Sequence, residues 1–194
     1  MKLVIIKYNA GNIQSVSFAL ERLGVDFQIT DNPDEIKQAD KVIFPGVGEA
    51  STTMKYLRDR KLDQVIINLK QPVLGVCLGM QLMCNYSEEN NTECLGIFHE
   101  PVKLFHPTGD MKVPHMGWNN LTLSNGWLDS ELENKFTYFV HSYYVPVNSF
   151  TSAITEYINP FSAAMHKDNF YAVQFHPEKS ANAGELVLKS FLKL

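Results

Sequence analysis

Short β-forming runs alternate with helical patterns over residues 1–77, and this alternation constrains the fold more than any other feature of the sequence. The runs are Leu3–Ile6, Val25–Thr30, Lys41–Phe44 and Val73–Val76, each rich in β-branched and large apolar residues. Because helical patterns separate them, the sequence predicts βαβ units with right-handed crossovers and a largely parallel sheet.

The helical patterns have recognisable ends. Asn12 is predicted to be an N-cap, and Gly24 a C-terminal cap. A second helix is predicted over Pro33–Ala39, with Pro near its start. A long helix is predicted from Ser51 to Leu69. Apolar residues recur at helical spacing in the first helix: Ile13, Val16, Leu20 and Leu23.

The second half of the chain has a different pattern. Turn signals there separate six strand-like runs, which predict an antiparallel extension: Pro101–Phe105, Leu121–Leu123, Phe136–His141, Ser152–Tyr157, Ser162–His166 and Phe170–Phe175. A final helix contains Leu186, Leu188 and Leu192. The expected fold is a single flavodoxin-like α/β domain over residues 1–194. A mostly parallel central sheet would lie between two helical layers.

Composition excludes several classes of function. The formal net charge of the 194 residues is −4, with −2 in each half, and no Lys/Arg cluster suits a nucleic acid. The longest apolar run, Val73–Met80, is far shorter than the ~20 residues of a membrane span, so we expect a cytoplasmic protein. The chain has an odd number of cysteines and no C-x-x-C motif; the three are Cys77, Cys84 and Cys94. Neither a disulfide framework nor a metal site is therefore expected.

Gly75-Val76-Cys77-Leu78-Gly79 has the form of a nucleophile elbow. It lies between a predicted strand and the helical pattern Met80–Tyr86, which is the strand–turn–helix context that an elbow requires. The helix N-terminus favours a thiolate at Cys77, and the N–H of Leu78 would point toward a developing oxyanion. The alternative is that Cys77 is a small buried residue without a catalytic role, as free cysteines often are. We interpret the other two cysteines as structural, with Cys84 in the core of the elbow helix and Cys94 in a loop.

A second cluster, Phe175-His176-Pro177-Glu178-Lys179-Ser180, follows the last strand-like run. A cysteine nucleophile needs a base that also protonates the leaving group, and His176 has the right chemistry. In extended backbone Glu178 would lie on the same side as His176 and could orient its ring. Alone, His-x-Glu is a weak signal; with the elbow it completes a triad.

The motifs Gly-Val-Cys-Leu-Gly-Met-Gln at 75–81 and Gln-Phe-His-Pro-Glu-Lys-Ser at 174–180 resemble those of the class I glutamine amidotransferases. Four further segments are similar to those of the glutaminase subunits of imidazole glycerol phosphate synthase, an enzyme of histidine biosynthesis. They are 114–119, 138–144, Gly11-Asn12-Ile13 and Pro45-Gly46-Val47-Gly48. The resemblance covers the whole chain. Two departures are Asn9, where the family often has Gly, and the absence of Gly in 97–101.

The resemblance implies that Cys77, His176 and Glu178 hydrolyse glutamine without a cofactor. Leu78 and the loop Gly46-Val47-Gly48 would supply the oxyanion donors, and a peptide flip in that glycine-flanked loop could switch activity. Gln81, one helical turn after the nucleophile, would face the same pocket. Ser142 and Tyr143 are implied as further glutamine-binding residues.

A glutaminase needs an acceptor for its ammonia, and the chain has no residues left to form one. The resemblance implies a (βα)₈-barrel cyclase partner that forms imidazole glycerol phosphate and an aminoimidazole carboxamide ribonucleotide. Candidate interface residues are Asn12, Trp118, Tyr138 and Lys179, although Trp118 could pack in the core and Lys179 could be a solvated charge.

Three alternatives remain open at this stage. A homologous glutaminase could serve another synthase, for example in surface-sugar amidination. A stand-alone cysteine hydrolase or redox sensor would have no use for Glu178. A non-enzymatic flavodoxin-like binding module would make the glycines around Cys77 accidental.

Overall fold

The structure is a computed structural model that describes residues 1–8, 12–124 and 126–194. The six α-helices in these residues are α1 Ile13–Arg22, α2 Pro33–Lys37, α3 Ala50–Asp59, α4 Leu62–Ile67, α5 Leu78–Met83 and α6 Ala181–Leu192. The strands are β1 Leu3–Ile6, β2 Phe27–Thr30, β3 Lys41–Phe44, β4 Val73–Val76, β5 Tyr86–Ser87, β6 Thr92–Glu93, β7 Pro101–Leu104, β8 His115–Asn120, β9 Thr122–Leu123, β10 Phe136–His141, β11 Tyr143–Tyr144, β12 Thr151–Tyr157, β13 Asn159–Lys167 and β14 Phe170–Val173.

The main sheet has eight strands in the order β2-β1-β3-β4-β14-β13-β12-β9. The first five are parallel to one another, and the last three extend the sheet with antiparallel pairs. Successive residues of β1 belong to different apolar cores, with Val4 on one face and Leu3 and Ile5 on the other. Both faces are therefore covered, and the predicted three-layer α/β architecture is confirmed.

Several predicted bounds need correction. The helix predicted from Ser51 to Leu69 is two helices, α3 and α4, because Lys61 has a φ of 57° and breaks the helical path. The elbow helix begins at Leu78 and ends at Met83, so Tyr86 lies in β5 instead. The second strand begins at Phe27, since the preceding residues leave α1 through the turn at Gly24.

The second half contains two further sheets that the sequence did not predict. Strand β8 pairs with β10 in a two-stranded antiparallel sheet, with Trp118 opposite Tyr138. Strand β7 belongs to a four-stranded sheet with β11, β5 and β6. The predicted strands at Pro101 and Phe136 are therefore real, but they lie outside the main sheet. In the described part of the chain, no helix combines the length and apolarity that crossing a bilayer requires.

Asn12 precedes α1, as predicted, but it does not cap the helix. Its φ is 77° and its side chain accepts no hydrogen bond from the first turn. The amide is used elsewhere, against the carboxylate of Glu178. The neighbouring Asn9 and Gly11, which figured in the family resemblance, lie outside the described residues.

Candidate active site

Two adjacent parallel strands bring the candidate triad to one edge of the sheet. Val76 at the end of β4 is in register with Val173 at the end of β14, so the residues that follow each strand emerge together. The N–H of Cys77 donates to the carbonyl of Val173 at 2.8 Å. Cys77 and His176 both line a cavity of about 350 Å³ at this edge.

The backbone at Cys77 has the strained geometry of a nucleophile elbow. Its φ is 54° and its ψ is −110°, which is unfavourable for a residue with a side chain. A Cβ at Gly79 would lie 2.0 Å from the carbonyl oxygen of Phe44, and one at Gly75 would lie 2.8 Å from Sδ of Met83. Gly79 therefore lets α5 pack closely on the end of β3, and Gly75 lets it pack closely on β4, which together hold Cys77 in this turn.

His176 and Glu178 form a buried pair. Nδ1 of His176 lies 2.8 Å from Oε1 of Glu178, and both side chains are 1% exposed. This hydrogen bond fixes the ring, because Nδ1 donates to the carboxylate. In the described residues Nε2 of His176 is buried and has no hydrogen-bond partner. That nitrogen is thus left for the proton of a neighbouring nucleophile.

The surroundings favour a charged His176. Burial opposes the charge, but the hydrogen bond to Glu178 and the proximity of the acidic groups of Cys77 and Glu178 outweigh it and raise the pKa of His176 to about 10. At neutral pH the protonated ring therefore faces the same cavity as the sulfur of Cys77. This pairing supplies both a nucleophile and the acid for a leaving group.

Asn12, a predicted interface residue, lies against the triad. Its Nδ2 donates to Oε1 of Glu178, and the same atom lies 3.5 Å from Nδ1 of His176. The amide thereby holds the carboxylate that orients the ring. No local motif predicts this contact, since Asn12 and Glu178 are far apart in the chain.

The predicted oxyanion loop lies over the elbow. Val47 and Gly48 line the cavity, and the carbonyl of Pro45 accepts a hydrogen bond from the buried hydroxyl of Tyr8, which the sequence reasoning had missed. The N–H of Leu78, a predicted oxyanion donor, donates to the carbonyl of Gly46 at 3.3 Å. That N–H is therefore engaged within the chain in this structure.

The predicted glutamine-binding residues Gln81, Ser142 and Tyr143 all line the cavity. Nε2 of Gln81 donates to the carbonyl of Tyr143 at 3.0 Å and to Oε1 of Gln174 at 2.9 Å. The amide nitrogen of Gln81 is thus committed to the protein, while its oxygen accepts no hydrogen bond from any residue that the structure describes.

Sequence reasoning missed four other residues of the cavity wall: Glu89, Pro114, Val140 and His141. Glu89 is the one carboxylate among the lining residues. Burial raises the pKa of Glu89, although the N–H of Ala50 donates to it at 2.8 Å and counteracts that effect. Only its position after β5 brings Glu89 to the cavity, so no sequence motif could have identified it.

Trp118, Tyr138 and Lys179 form a cluster on the surface. The rings of Trp118 and Tyr138 are 5.9 Å apart in an edge-to-face arrangement, and Nζ of Lys179 lies 5.9 Å from the Tyr138 ring. Met116 and Phe136 extend this surface and are 64% and 58% exposed. We call Met116, Trp118, Phe136 and Tyr138 the β8–β10 face. The alternative of a buried Trp118 is wrong, since it is 52% exposed.

The described residues contain no group of three or more His, Cys, Asp or Glu side chains placed to hold a metal ion. Cys84 is buried at the end of α5, and Cys94 is half-buried after β6; both are free thiols. Neither lines the cavity.

The strained cysteine after a parallel strand and the buried His–Glu pair beside it define a class of enzyme. A family model described as glutamine amidotransferase class-I matches residues 4–194. Solved structures have the same fold: a crystal structure of a glutamine amidotransferase has a TM-score of 0.76 at 16% identity, covering 98% of this chain and 97% of that one. PurLQS from Thermotoga maritima has a TM-score of 0.71 at 14% identity, covering 99% and 97%.

Curated relatives narrow the assignment. The chain is 60% identical to the imidazole glycerol phosphate synthase subunit HisH of Bacteroides fragilis strain YCH46, over 100% of both chains. It is 45% identical to the protein of that name from Vibrio parahaemolyticus, over 100% of this chain and 98% of the relative. The chain therefore belongs to the HisH family of class-I glutamine amidotransferases.

Proposed function

We propose that this chain hydrolyses the side-chain amide of glutamine to glutamate and ammonia, with Cys77 as the nucleophile. The observation that best supports this reaction is the buried bond from Nδ1 of His176 to Glu178, 2.8 Å long. It leaves Nε2 of His176 without another partner in the described residues. A histidine held in this way can pass one proton between the thiol, the leaving group and water.

The reaction has two halves. The thiolate of Cys77 attacks the amide carbon, and His176 protonates the departing nitrogen as the C–N bond breaks, which leaves a thioester and free ammonia. His176 then removes a proton from water, the hydroxide attacks the thioester carbon, and glutamate leaves as the thiol forms again. Glu178 keeps the ring oriented and stabilises its charge in both halves.

The oxyanion would be bound by the N–H of Leu78 and by an N–H of the loop that contains Val47. In the present arrangement the carbonyl of Gly46 accepts from Leu78 at 3.3 Å, so a rotation of the peptides at Val47 is needed to open the site. Loss of one oxyanion donor costs about 3–4 kcal/mol in the transition state. The loop can therefore hold the enzyme in a weakly active state until it moves.

Glutamine is a zwitterion, and the cavity offers groups for each part of it. The carboxylate of Glu89 suits the α-ammonium group, and the free oxygen of Gln81 can accept a further N–H. Ser142 and Tyr143 also line the cavity and are the remaining candidates for binding the amino-acid end.

The ammonia is transferred to a partner subunit, which we infer to be a (βα)₈-barrel cyclase of histidine biosynthesis. Two relatives carry the name of a subunit of imidazole glycerol phosphate synthase, which supports a synthase partner. The exposed apolar β8–β10 face is the surface we assign to it, since contiguous exposed apolar side chains are typical of interaction sites. Three free thiols suit the reducing cytoplasm, which we infer to be its compartment.

The test is glutamate release from glutamine, measured for the chain alone and with the cyclase subunit and its nucleotide ligand. We expect weak release alone, strong release in the complex, and none with Cys77→Ser. Cys77-dependent release that the cyclase does not stimulate would favour a glutaminase of another synthase. Release that survives Cys77→Ser would overturn the proposed chemistry.

A further inference from the structure

Gln174 is a buried polar residue to which the mechanism above assigns no role. It follows β14, two residues before His176, and its side chain is 0% exposed. Its Oε1 accepts from Nε2 of Gln81 at 2.9 Å, and its Nε2 lies 3.7 Å from Sγ of Cys77. A buried amide is unfavourable unless both ends are bonded, so these two contacts account for how the amide is tolerated there.

The direction of these hydrogen bonds is fixed by one carbonyl. The oxygen of Tyr143 can only accept, so the atom of Gln81 that contacts it at 3.0 Å must be the amide nitrogen. The same nitrogen contacts Gln174, which must therefore present its oxygen to Gln81. Because the two ends of an amide differ, the nitrogen of Gln174 is then the end that points to Sγ of Cys77.

We propose that Gln174 is a positioning residue for the reaction, and that it acts in two ways. It donates an N–H to the sulfur of Cys77 and so stabilises the thiolate. It also holds Gln81 with its oxygen free toward the cavity, where substrate binds. This inference rests on the proposed glutaminase function, and it adds a second donor, besides His176, that stabilises the charge on Cys77.

The replacement Gln174→Met keeps the length of the side chain and removes both hydrogen bonds. The readout is the rate of Cys77 alkylation by iodoacetamide as a function of pH, which does not require glutamine to bind. A hydrogen bond to a charged group is lost, so we expect the midpoint of the pH profile to rise by about one unit. The kcat for glutamine hydrolysis should fall about tenfold, and KM should rise because Gln81 loses its anchor.

Two further variants make the test decisive. Gln64→Met, at an exposed position of α4, is the matched control and should keep the wild-type profile. Gln81→Met removes the hydrogen bond that holds the amide of Gln174, so it should also raise the midpoint of the alkylation profile. If circular dichroism shows that Gln174→Met does not fold, Gln81→Met tests the role of Gln174 in its place. Profiles that superimpose on the wild type would overturn the role of Gln174. Absence of Cys77-dependent hydrolysis in the wild-type protein would instead overturn the proposed function.

Discussion

At the scale of single residues, a pair of buried histidines supports the wall of the cavity. Nδ1 of His141 lies 2.7 Å from the carbonyl of Tyr143 and must donate to it. Nε2 of His141 therefore accepts from Nδ1 of His115, at 3.0 Å. The carbonyl of Tyr143 also accepts from Gln81. The neutral pair thus fixes a backbone group on which the orientation of Gln81 depends.

The histidine pair predicts a loss of stability in acid. Burial lowers the pKa of His115 to about 4 and that of His141 to about 3, from 6.5. As pH falls from about 6.5 toward 4, the unfolded chain binds more protons than the folded one, so the free energy of unfolding decreases. We expect each histidine to contribute a loss of about 1.5 kcal/mol between pH 6.5 and 5, measured by urea unfolding.

A matched pair of variants isolates this effect from the titration of carboxylates. His115→Phe preserves the stacking with Tyr157 and Phe139 and removes one titrating group, so its stability should depend less steeply on pH than that of the wild type. His106→Asn, at an exposed position, should keep the wild-type slope. If the free energy of unfolding has the same pH dependence in the wild type and in both variants, the histidine pair is not the cause of the loss of stability in acid.

At the scale of elements, the packing of α5 on the end of β3 sets the position of Cys77. No side chain fits at Gly79, because its Cβ would lie 2.0 Å from the carbonyl oxygen of Phe44. That oxygen belongs to backbone of the main sheet, which cannot move without disturbing the sheet. The first turn of α5 would have to shift instead, and it carries both Cys77 and the N–H of Leu78.

We therefore expect Gly79→Ala to lower the melting temperature and abolish glutamine hydrolysis. Gly96→Ala is the comparison: its φ of 71° disfavours a side chain, but nothing lies within 4 Å of the added methyl group. It should cost about 1–2 kcal/mol and leave hydrolysis intact. Thermal unfolding and glutamate release measured on both variants test this, and equal effects of the two substitutions would refute it.

The bounds of some elements could be predicted from the sequence, and those of others could not. The bounds of β1, β3 and β4 were predicted correctly, because every residue in these short strands is buried and the sequence is mostly apolar. Those of β10 were also correct, because its aromatic and β-branched residues have high strand propensity. Strand β8 was missed: His-Met-Gly-Trp-Asn-Asn has low strand propensity, and its strand form depends on pairing with β10. The break at Lys61 was missed because apolar spacing continues across it.

The candidate site was predictable only where its residues are close in the sequence. The elbow and His176-Pro177-Glu178 are local motifs, so each could be read from a few residues. The contacts from Asn12 to Glu178, from Tyr8 to Pro45 and from Gln174 to Gln81 join distant parts of the chain. They arise from the order of strands in the sheet, which no local pattern specifies.

At the scale of the whole molecule, the β8–β10 face is connected to the triad through backbone. The carbonyl of Tyr138 accepts from the N–H of His176 at 2.9 Å, and the N–H of Tyr138 donates to Oγ of Ser180, also at 2.9 Å. Oγ of Ser180 in turn donates to the carbonyl of His176 at 2.6 Å. A partner bound to the ring of Tyr138 would therefore act on the backbone of the segment that holds His176.

The proposed interface predicts that Trp118→Ala weakens binding of the cyclase subunit. Truncation of a central aromatic residue in an interface typically costs about 2 kcal/mol or more, which raises Kd roughly thirtyfold. Stimulation of glutamine hydrolysis should require correspondingly more partner. Titration calorimetry measures this, with Val147→Ala, exposed and outside the face, as the control. A wild-type Kd for Trp118→Ala would place the partner elsewhere.

The central claim is that Cys77, activated by His176, is the nucleophile for glutamine. The most direct measurement is mass spectrometry of the protein after reaction with a glutamine-analogue electrophile, since the chain has only three cysteines to compare. We expect one adduct, on Cys77, that excess glutamine prevents and His176→Asn greatly slows. Labelling that reaches Cys84 or Cys94 equally, or that glutamine does not prevent, would contradict the assignment of Cys77 as the glutamine-specific nucleophile.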